Sequence, residues 1–344
     1  MKILLVLTGG TIGSACSDGI IGTDSSRCRI AELYREKYGD EVSFDIRSPV
    51  YILSENLNVH HWEILVNYIL SEDISGYDGI IITHGSDTLA YSSAMLAFCL
   101  GGIGKPVVIT AADKVPDDPD SNALDNFRAA VNIISYAADE MKQGGGVYTV
   151  YRNHSKKGSA EVFVPTRLVE ADRLYDKFSV FGGSPLGVVY EDGKICCFDE
   201  GSRNLLYRMA EKRTALNIRS ISFEKRVLML HPYPSMDYEN IIPGEDIGAV
   251  LHITYHSSTI SEDAAVLAER CRQRNIPLFL CSFKNDMKAV YDTSKVIIDM
   301  GAVPLYNISN EAAYAKLLLG VNLYPENICG FMDDELYFEY PKEV

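Results

Sequence analysis

Short apolar runs alternate with stretches of helical periodicity over the first part of the chain. Runs of four to six mostly apolar residues predict strands, and apolar residues that recur every three or four positions predict helices. Strands are predicted at 2–7, 42–47, 79–82, 106–110 and 147–151, and helices at 29–37, 59–70, 87–100 and 123–141. This alternation predicts a parallel sheet with helices on both faces. Ser121 is a plausible N-cap for the last of these helices.

The pattern changes twice further along the chain. Strands at 159–164, 187–190 and 194–198 are predicted as added β-structure, with Asp192-Gly193 as a hairpin turn. The polar, mixed stretch 202–225 is predicted to link two domains. A second alternating unit has predicted strands at 226–230, 248–253, 277–281 and 302–305, and helices at 262–273, 287–300 and 310–319. We therefore expect an N-terminal domain over 1–201 and a C-terminal α/β domain over 226–344.

Composition narrows the class of protein. Hydrophobic residues make up 47% of the 344 residues, which supports a buried core. No apolar run reaches the roughly 18 residues of a membrane helix, and the apolar N-terminus is too short for a secretory signal. The net charge of −15 argues against nucleic acid, since nucleic-acid binding depends on Lys and Arg contacts with phosphates. We expect neither a nucleic-acid nor a membrane partner.

Cysteine and histidine usage suggests the compartment and the cofactor requirement. The eight cysteines are scattered without a C-x-x-C pair, which favours free thiols in a reducing cytoplasm. The seven histidines have no acidic or cysteine cluster beside them. We therefore predict a cytoplasmic protein with no metal site and no cofactor.

Two hydroxyl-bearing turns directly follow two of the predicted strands. Residues 8–13 (TGGTIG) end the first strand, and residues 83–88 (THGSDT) end the third. In an open parallel sheet, ligands bind outside the carboxyl ends of the strands, so both turns can converge on one pocket. Gly9 and Gly10 allow a tight bend that exposes backbone N–H groups. A hydroxyl beside such groups is the arrangement that acyl transfer needs.

Two other interpretations of these turns stay open. A Gly-rich phosphate turn is disfavoured, because the full G-x-G-x-x-G pattern and the P-loop Lys-Ser/Thr are both absent. A purely structural strand-to-helix turn remains possible for either segment alone, and is less favoured for both together.

Five segments carry short motifs that occur in the same order in one known protein family. They are 8–13 (TGGTIG), 54–57 (SENL), 84–88 (HGSDT), 104–110 (GKPVVIT) and 184–187 (SPLG). Together they resemble the bacterial-type L-asparaginases, the asparaginase/glutaminase family. The resemblance implies an α/β fold with a parallel-sheet, flavodoxin-like N-terminal domain and a smaller α/β C-terminal domain. It also implies a homodimer or homotetramer, in which the second domain of one subunit closes the site of another.

The resemblance also implies roles for the motif residues. Thr11 stands at the position of the family nucleophile, and Ser86 stands where the family has a second threonine. Asp87 would bind the α-ammonium of a small amino-acid amide, and the backbone of both turns would hold the oxyanion. The implied substrate-binding set comprises Gly10, Ser54, Glu55, Gly85, Ser86 and Asp87.

One departure from the family concerns the catalytic lysine. In residues 167–178 (RLVEADRLYDKF) the lysine position falls on Glu170, or on Val169 with a different gap. A carboxylate would reverse the charge beside Asp87, and two close carboxylates cannot both ionise cheaply.

A surrogate base is therefore expected. Lys114 is the first candidate, because its loop follows a predicted sheet strand, and Lys177 is the second. With such a base we expect slow asparaginase activity that rises at alkaline pH. The catalytic set predicted from the sequence is thus Thr11, Ser86, Asp87 and Lys114.

Three further points concern the rest of the site. Ile20 stands where the family has a tyrosine, and Tyr34 could serve only if the loop runs differently. Residues 121–123 (SNA) replace the usual Ser-Asp-Gly. By resemblance, residues 256–258 (HSS) would reach a neighbouring active site, although a simple helix entry capped by Ser261 explains that segment equally well.

The sequence thus supports three hypotheses of function. The first is hydrolysis of the side-chain amide of L-asparagine, with L-glutamine possible, through Thr11. The second is a catalytically weak or inactive relative that binds a small amino acid, because the lysine and tyrosine are replaced. The third is an amidase for a larger amide, such as an amidated tRNA or peptide. The lack of a basic surface counts against tRNA as the substrate.

Overall fold

The computed structural model describes residues 1–13, 15–17, 20–22, 28–141, 144–153, 157–211, 216, 218–284 and 289–341. The chain divides into two compact units, Met1–Ile221 and Ser222–Val344. The predicted α/β class, with a parallel sheet in each unit, is confirmed.

The first unit is built on one large sheet. Its strands are β1 (Lys2–Leu7), β4 (Ser43–Arg47), β5 (Gly79–Thr83), β6 (Val107–Thr110), β7 (Val147–Tyr151), β8 (Ser159–Phe163), β11 (Gly187–Tyr190) and β12 (Ile195–Cys197). Two short hairpins accompany it, β2 (Ala15–Ser17) with β3 (Ile20–Gly22) and β9 (Leu168–Val169) with β10 (Ser179–Val180). The sheet order is β12-β11-β8-β7-β6-β5-β1-β4.

Five neighbouring strands of this sheet run parallel. Strands β4, β1, β5, β6 and β7 pair parallel, whereas β8, β11 and β12 are antiparallel additions. In chain order the parallel strands follow 2-1-3-4-5, the flavodoxin-like order, whose topological switch point lies between the first and third strands. In this chain those strands are β1 and β5, the strands that carry the two turns.

Burial explains why these strands form. Every residue of β5, β6 and β7 is buried, as is all of β1 after Lys2. Strands covered on both faces are typically continuous apolar runs rather than alternating ones. Helices cover the sheet: α1 (Arg29–Tyr38), α2 (Val59–Ser71), α3 (Leu89–Leu100), α4 (Ala123–Asp139) and α5 (Glu200–Glu211).

The second unit has a smaller parallel sheet. Its order is β13-β14-β15-β16, formed by β13 (Arg226–Leu230), β14 (Ile247–Ile253), β15 (Leu278–Phe283) and β16 (Val303–Tyr306). The helices of this unit are α6 (Ala265–Gln273), α7 (Asp292–Asp299), α8 (Asn310–Leu323) and α9 (Ile328–Asp333). Within the residues described, no helix is both long and apolar enough to span a membrane.

Some local predictions need correction. Helix α5 covers most of the first half of the stretch 202–225, which was predicted to be a polar linker, because Leu206, Met209 and Ala210 supply a buried stripe. Asn122, not Ser121, is the N-cap of α4, although the Ser121 hydroxyl accepts a hydrogen bond from the Ala123 N–H.

Candidate active site

The two hydroxyl-bearing turns lie side by side at the carboxyl edge of the large sheet. Leu7 of β1 is in register with Thr83 of β5, so each turn begins where its strand ends. The backbone N–H and the hydroxyl of Thr8 both donate to the carbonyl of Thr83, at 3.2 and 2.9 Å. The switch point of the sheet therefore holds both motifs together.

The first turn bends back onto the segment that follows β4. Gly9 and Gly10 have φ of 95° and 72°, a region that glycine adopts without steric cost. The Gly10 N–H donates to the carbonyl of Ile52 at 3.2 Å, and the Ile52 N–H donates to the carbonyl of Thr8 at 3.0 Å. These bonds fix the backbone immediately before Thr11, which opens a short 3-10 helix, Thr11–Gly13.

Gly85 lies between two other predicted site residues, the backbone of Gly10 and the side chain of Ser54. A Cβ on Gly10 would lie 2.5 Å from Gly85 Cα, and a Cβ on Gly85 would lie 2.3 Å from the hydroxyl oxygen of Ser54. Real Cβ atoms do not approach neighbours this closely. Glycine at both positions therefore allows the first turn, the second turn and Ser54 to meet.

Ser54 connects this cluster to a carboxylate. Its hydroxyl donates to Asp87 Oδ2 at 3.1 Å, and its carbonyl accepts a hydrogen bond from the Thr88 hydroxyl at 3.1 Å. Ser54 is buried, whereas Asp87 is exposed, as is Glu55, the residue after Ser54. The hydrogen bond therefore orients the exposed Asp87 carboxylate against a buried residue.

A cavity of about 430 Å³ opens beside the second turn. Pockets that hold small ligands typically measure about 300–1,000 Å³. Of the residues predicted for the site, Ser86 and Asp87 line it. The described lining is Ser86, Asp87, Asp113, Tyr151, Glu170, Ala171, Asp172, Arg173 and Asp176.

The β9–β10 hairpin and its loop supply a second face of the cavity, the hairpin face. Glu170 directly follows β9 and faces the same space as Ser86 and Asp87. In the connecting loop, Asp172 Oδ1 accepts hydrogen bonds from the backbone N–H groups of Leu174 and Tyr175, at 2.9 and 3.1 Å. This face is therefore rich in carboxylates.

Two cavity residues come from the ends of neighbouring strands. Asp113 follows β6 and exchanges backbone-to-side-chain hydrogen bonds with Asn122, at 2.9 and 3.0 Å. Tyr151 ends β7, and burial raises its pKa to about 12, although a hydrogen bond with Asn122 opposes that rise. The phenol therefore stays protonated at neutral pH and can act as a hydrogen-bond donor in the cavity.

His84 supports the second turn from inside. Its side chain is buried, and its Nδ1 lies 2.9 Å from the carbonyl oxygen of Gly85. Burial lowers the pKa of His84, while that hydrogen bond and the charge of Asp87 act in the opposite direction. A neutral imidazole that donates from Nδ1 to Gly85 is consistent with this geometry.

Comparison with known proteins identifies the scaffold. The family model described as Asparaginase, N-terminal, matches residues 2–195, which is more than half of the chain. The chain belongs to the asparaginase family. The resemblance predicted from the sequence motifs is therefore confirmed.

Individual relatives of this asparaginase-family chain fall into two groups. A glutamyl-tRNA(Gln) amidotransferase subunit from Saccharolobus islandicus strain M.14.25 is 26% identical over 328 residues, which cover 92% of this chain and 70% of that protein. The protein of the same name from Aeropyrum pernix is 28% identical over 330 residues, covering 92% and 73%. The thermostable L-asparaginase from Thermococcus kodakarensis shares the fold, with a TM-score of 0.74, 20% identity and full coverage of both chains.

Other residues considered for this asparaginase-family site lie elsewhere. The Lys114 ammonium is 3.6 Å from Asp118 Oδ2, and Lys114 is not part of the described cavity lining. Lys177 is exposed and is likewise absent from that lining. Tyr34 is buried in α1, where its hydroxyl accepts a hydrogen bond from Arg128. The side chain of Ile20 is outside the described part of the chain.

In the second unit of this asparaginase-family chain, the segment before α6 shows the helix entry considered for it, while its approach to a neighbouring active site stays a prediction. The hydroxyl of Ser257 and Nε2 of His256 lie 3.1 Å apart; His256 is exposed and Ser257 is partly buried. Ser258 is buried and has φ of 58°. Ser261 accepts a hydrogen bond from the Asp263 N–H at 3.3 Å, as the predicted helix cap requires.

Sequence reasoning on this asparaginase-family chain missed part of the cavity lining. Asp113 and Tyr151 follow or end parallel strands, so the rule that located Ser86 could have located them as well. Asp172, Arg173 and Asp176 depend on how the β9–β10 hairpin folds over the sheet, and no local signal gives that. No group of three or more His, Cys, Asp or Glu side chains arranged for a metal ion occurs among the described residues.

Proposed function

We propose that this chain hydrolyses the side-chain amide of a small amino acid through Thr11, with L-asparagine as the first substrate and L-glutamine as the second. The observation that carries the proposal is the close approach of Gly85 to both Gly10 and Ser54, together with the hydrogen bond from Ser54 to Asp87. This arrangement supports a nucleophile at Thr11 that acts beside a carboxylate suited to an α-ammonium group.

The proposed reaction proceeds in two steps. The Thr11 hydroxyl gives its proton to a base while its oxygen bonds to the amide carbon; the C–N bond then breaks, and the nitrogen leaves as ammonia after taking up one proton, so that no proton is lost or gained overall. Water then attacks the resulting ester, which releases the acid and returns the proton to Thr11. Backbone N–H groups of the two turns stabilise the negative oxygen in both steps.

Glu170 is our first candidate for the proton acceptor. Its carboxylate lines the same cavity as Ser86 and Asp87, whereas the ammonium of Lys114 lies at Asp118. This placement favours Glu170 over the surrogate lysine expected from the sequence. The protonated phenol of Tyr151 is a candidate donor to the leaving nitrogen.

Ammonia release tests the proposal directly. Purified protein is assayed with L-asparagine, L-glutamine and a panel of other amides, in parallel with Thr11→Ala. Ammonia release that Thr11→Ala abolishes supports the proposal. Tight amino-acid binding without ammonia would instead support a binding protein on the same scaffold.

A second candidate is the amide-hydrolysing part of a larger amidotransferase. The names of the relatives from Saccharolobus islandicus and Aeropyrum pernix favour it. The net charge of −15 counts against direct tRNA contact, because phosphate binding needs Lys and Arg. Glutamine hydrolysis that is faster than asparagine hydrolysis, together with measurable tRNA binding, would favour this candidate.

Two lesser points belong to the same proposal. We place the protein in the cytoplasm, since Cys28, Cys99, Cys196, Cys197, Cys271, Cys281 and Cys329 are all free thiols. We also expect a homodimer or homotetramer. Mass measurement in solution checks this, and a fully active stable monomer would contradict it.

A further inference from the structure

Two buried asparagines at the start of α4 connect the ends of two neighbouring sheet strands. Asn122 and Asn126 are 1% and 0% exposed and lie one helical turn apart. Asn126 Nδ2 donates to the carbonyl of Ala111, just after β6, and its Oδ1 accepts from the N–H of Arg152, just after β7, at 2.9 and 2.7 Å. Asn122 bridges the same two segments, from the Asp113 N–H at 2.9 Å to the Arg152 carbonyl at 3.2 Å. The two side-chain amides therefore fix how the strand ends stand relative to each other.

Asn122 differs from Asn126 in what it holds. An asparagine at the N-cap of a helix usually accepts a hydrogen bond from the second or third backbone N–H of that helix. Asn122 is the N-cap of α4, yet its side chain makes no such bond within the described structure. Its Oδ1 accepts from the Asp113 N–H instead, and its own N–H donates to Asp113 Oδ1 at 3.0 Å. Helix capping therefore does not account for this side chain, whereas a hold on Asp113 does.

The residue held in this way faces the candidate substrate. Asp113 lines the same cavity as Ser86 and Asp87. Tyr151 lines it as well, and Asn122 also hydrogen-bonds with its phenol. Burial raises the pKa of Tyr151 to about 12, the bond with Asn122 opposes that rise, and the charge of Asp113 adds to it. The carboxylate and the protonated phenol are therefore near enough to interact, and one side chain orients both.

A carboxylate held at this point suits a primary amide. An ionised carboxylate only accepts hydrogen bonds and has about four acceptor sites, so the bond from the Asn122 N–H leaves room for a donor on a ligand. The nitrogen of a side-chain amide is such a donor. The acid formed by hydrolysis has no donor in its place and carries a like charge, which is disfavoured at close range.

We infer that Asp113 accepts a hydrogen bond from the side-chain amide nitrogen of the bound amino acid and so determines the preference for the amide over the acid, and that Asn122 is the positioning residue that holds it. This inference rests on the proposed function, because it takes the cavity beside Ser86 and Asp87 as the substrate site. Asn122 stands where the family usually has an aspartate, and an aspartate could not donate to the Arg152 carbonyl.

The experiment compares an amide with its acid in a chain that lacks the proposed nucleophile. Full-length Thr11→Ala protein is titrated calorimetrically with L-asparagine and with L-aspartate. L-Asparagine is expected to bind about tenfold or more tightly, the usual strength of a hydrogen bond to a charged group. In the same background, the near-isosteric Asp113→Asn is expected to reduce that preference to about threefold or less, since it removes the charge and adds a donor.

A double-mutant cycle separates positioning from support of the fold. Asn122→Ala is expected to reduce the preference as far as Asp113→Asn does, and the two changes together to reduce it no further, because Asn122 acts through Asp113. The matched control is Asn126→Ala, which removes an equally buried amide whose bonds go to the backbone of Ala111 and Arg152. This control is expected to lower the stability of the fold and to keep the preference.

Three results of the titrations would overturn the inference. They are equal binding of the two compounds to Thr11→Ala, a preference that Asp113→Asn leaves unchanged, and an equal loss of preference in Asn126→Ala. Losses that multiply in the double variant would overturn the positioning role of Asn122. Asp113→Asn keeps the backbone bonds of that residue, so it decides the outcome should Asn122→Ala fail to fold.

A parallel ammonia assay with the wild-type chain separates the inference from the proposed function. A preference that depends on Asp113, without ammonia release, means that the proposed function fails and the inference holds. Ammonia release that Thr11→Ala abolishes, with a preference that Asp113→Asn leaves unchanged, means that the proposed function holds and the inference fails. Absence of ammonia release and of binding by either compound overturns both.

Discussion

The two regions of the candidate site are built in different ways. The turn face, formed by Gly10, Thr11, Ser54, Gly85 and Asp87, is held by close contacts at the switch point of the sheet, and of these residues only Asp87 is in the described lining of the cavity. The hairpin face, formed by Glu170, Asp172, Arg173 and Asp176, consists of side chains from one connecting segment.

This difference explains why the turn face keeps the residue motifs of the family and the hairpin face does not. On the turn face a single added Cβ would meet backbone atoms at 2.5 Å, so residue type and geometry are coupled. The loop of the hairpin face is largely exposed, with Leu174 76% exposed at its tip. A side chain there can change its charge without disturbing the sheet. The scaffold can therefore stay constant while the chemistry of one face is altered.

The largest expected effect comes from adding a methyl group to the turn face. Gly10→Ala introduces a Cβ at φ of 72° that would collide with the Gly85 backbone. Displacement of the reacting groups by about 1 Å can cost about 10²-fold in rate, so we expect at least that loss of kcat/KM. Gly39→Ala is the matched control, since Gly39 has φ of 83° with nothing within 4 Å of the added Cβ. Equal losses in both variants would show that backbone strain alone, and not the contact between turns, is responsible.

The next test sharpens the role of the hairpin face. We expect Glu170→Ala to lower kcat by about 10²-fold, the usual size of a lost general base, and Lys114→Met to change it little. Between neutral and alkaline pH, a carboxylate base gives a flat rate profile, whereas an amine base gives a rising one, because amines lose their proton at higher pH. A rising profile that Lys114→Met removes would restore the lysine expected from the sequence and exclude Glu170.

The sequence predicted the fold well wherever burial was continuous. Strands at 2–7, 147–151, 187–190 and 226–230 match the structure residue for residue, because apolar runs with sharp ends leave little choice. Helix α5 was missed because its buried stripe is only three residues within a polar segment. Strands β9 and β10 have two residues each and carry no periodic signal at all.

The site was predictable only where it depends on strand order. Ser86 and Asp87 follow from the rule about carboxyl ends of parallel strands, and their roles remain a prediction. Glu170 was identified by alignment to a motif, but its position in the cavity depends on long-range folding of the hairpin. Lys114 lies outside the described cavity lining, with its ammonium 3.6 Å from Asp118 Oδ2, and proximity to a strand end does not predict this.

A smaller effect is expected from the hydrogen bond that orients Asp87. Ser54→Ala removes the donor to Asp87 Oδ2 without adding volume. A hydrogen bond to a charged group contributes about 1.5–3 kcal/mol, so we expect KM to rise about tenfold or more while kcat changes less. Ser48→Ala is the control, since its hydroxyl donates to the Leu7 carbonyl at 3.2 Å, away from Asp87. A fall in kcat at constant KM would place Ser54 in the chemical step instead.

The smallest expected effect concerns the acid sensitivity of the turn face. Burial lowers the pKa of His84 in the folded chain, while in the unfolded chain it is close to the ordinary value of about 6.5. As pH falls below about 6.5, the unfolded chain takes up a proton that folded His84 excludes, so the free energy of unfolding falls. Each unit by which the pKa is lowered contributes about 1.4 kcal/mol to this loss.

The variant His84→Gln tests this effect. It should be less stable than the wild type at pH 7, because the Gly85 carbonyl loses its partner. It should also lose less stability on acidification. Urea unfolding from pH 7 downward measures both effects, with the exposed His60→Gln as control. If wild type and His84→Gln lose stability in parallel, other groups cause the acid sensitivity, and the hairpin face with its carboxylates becomes the next region to examine.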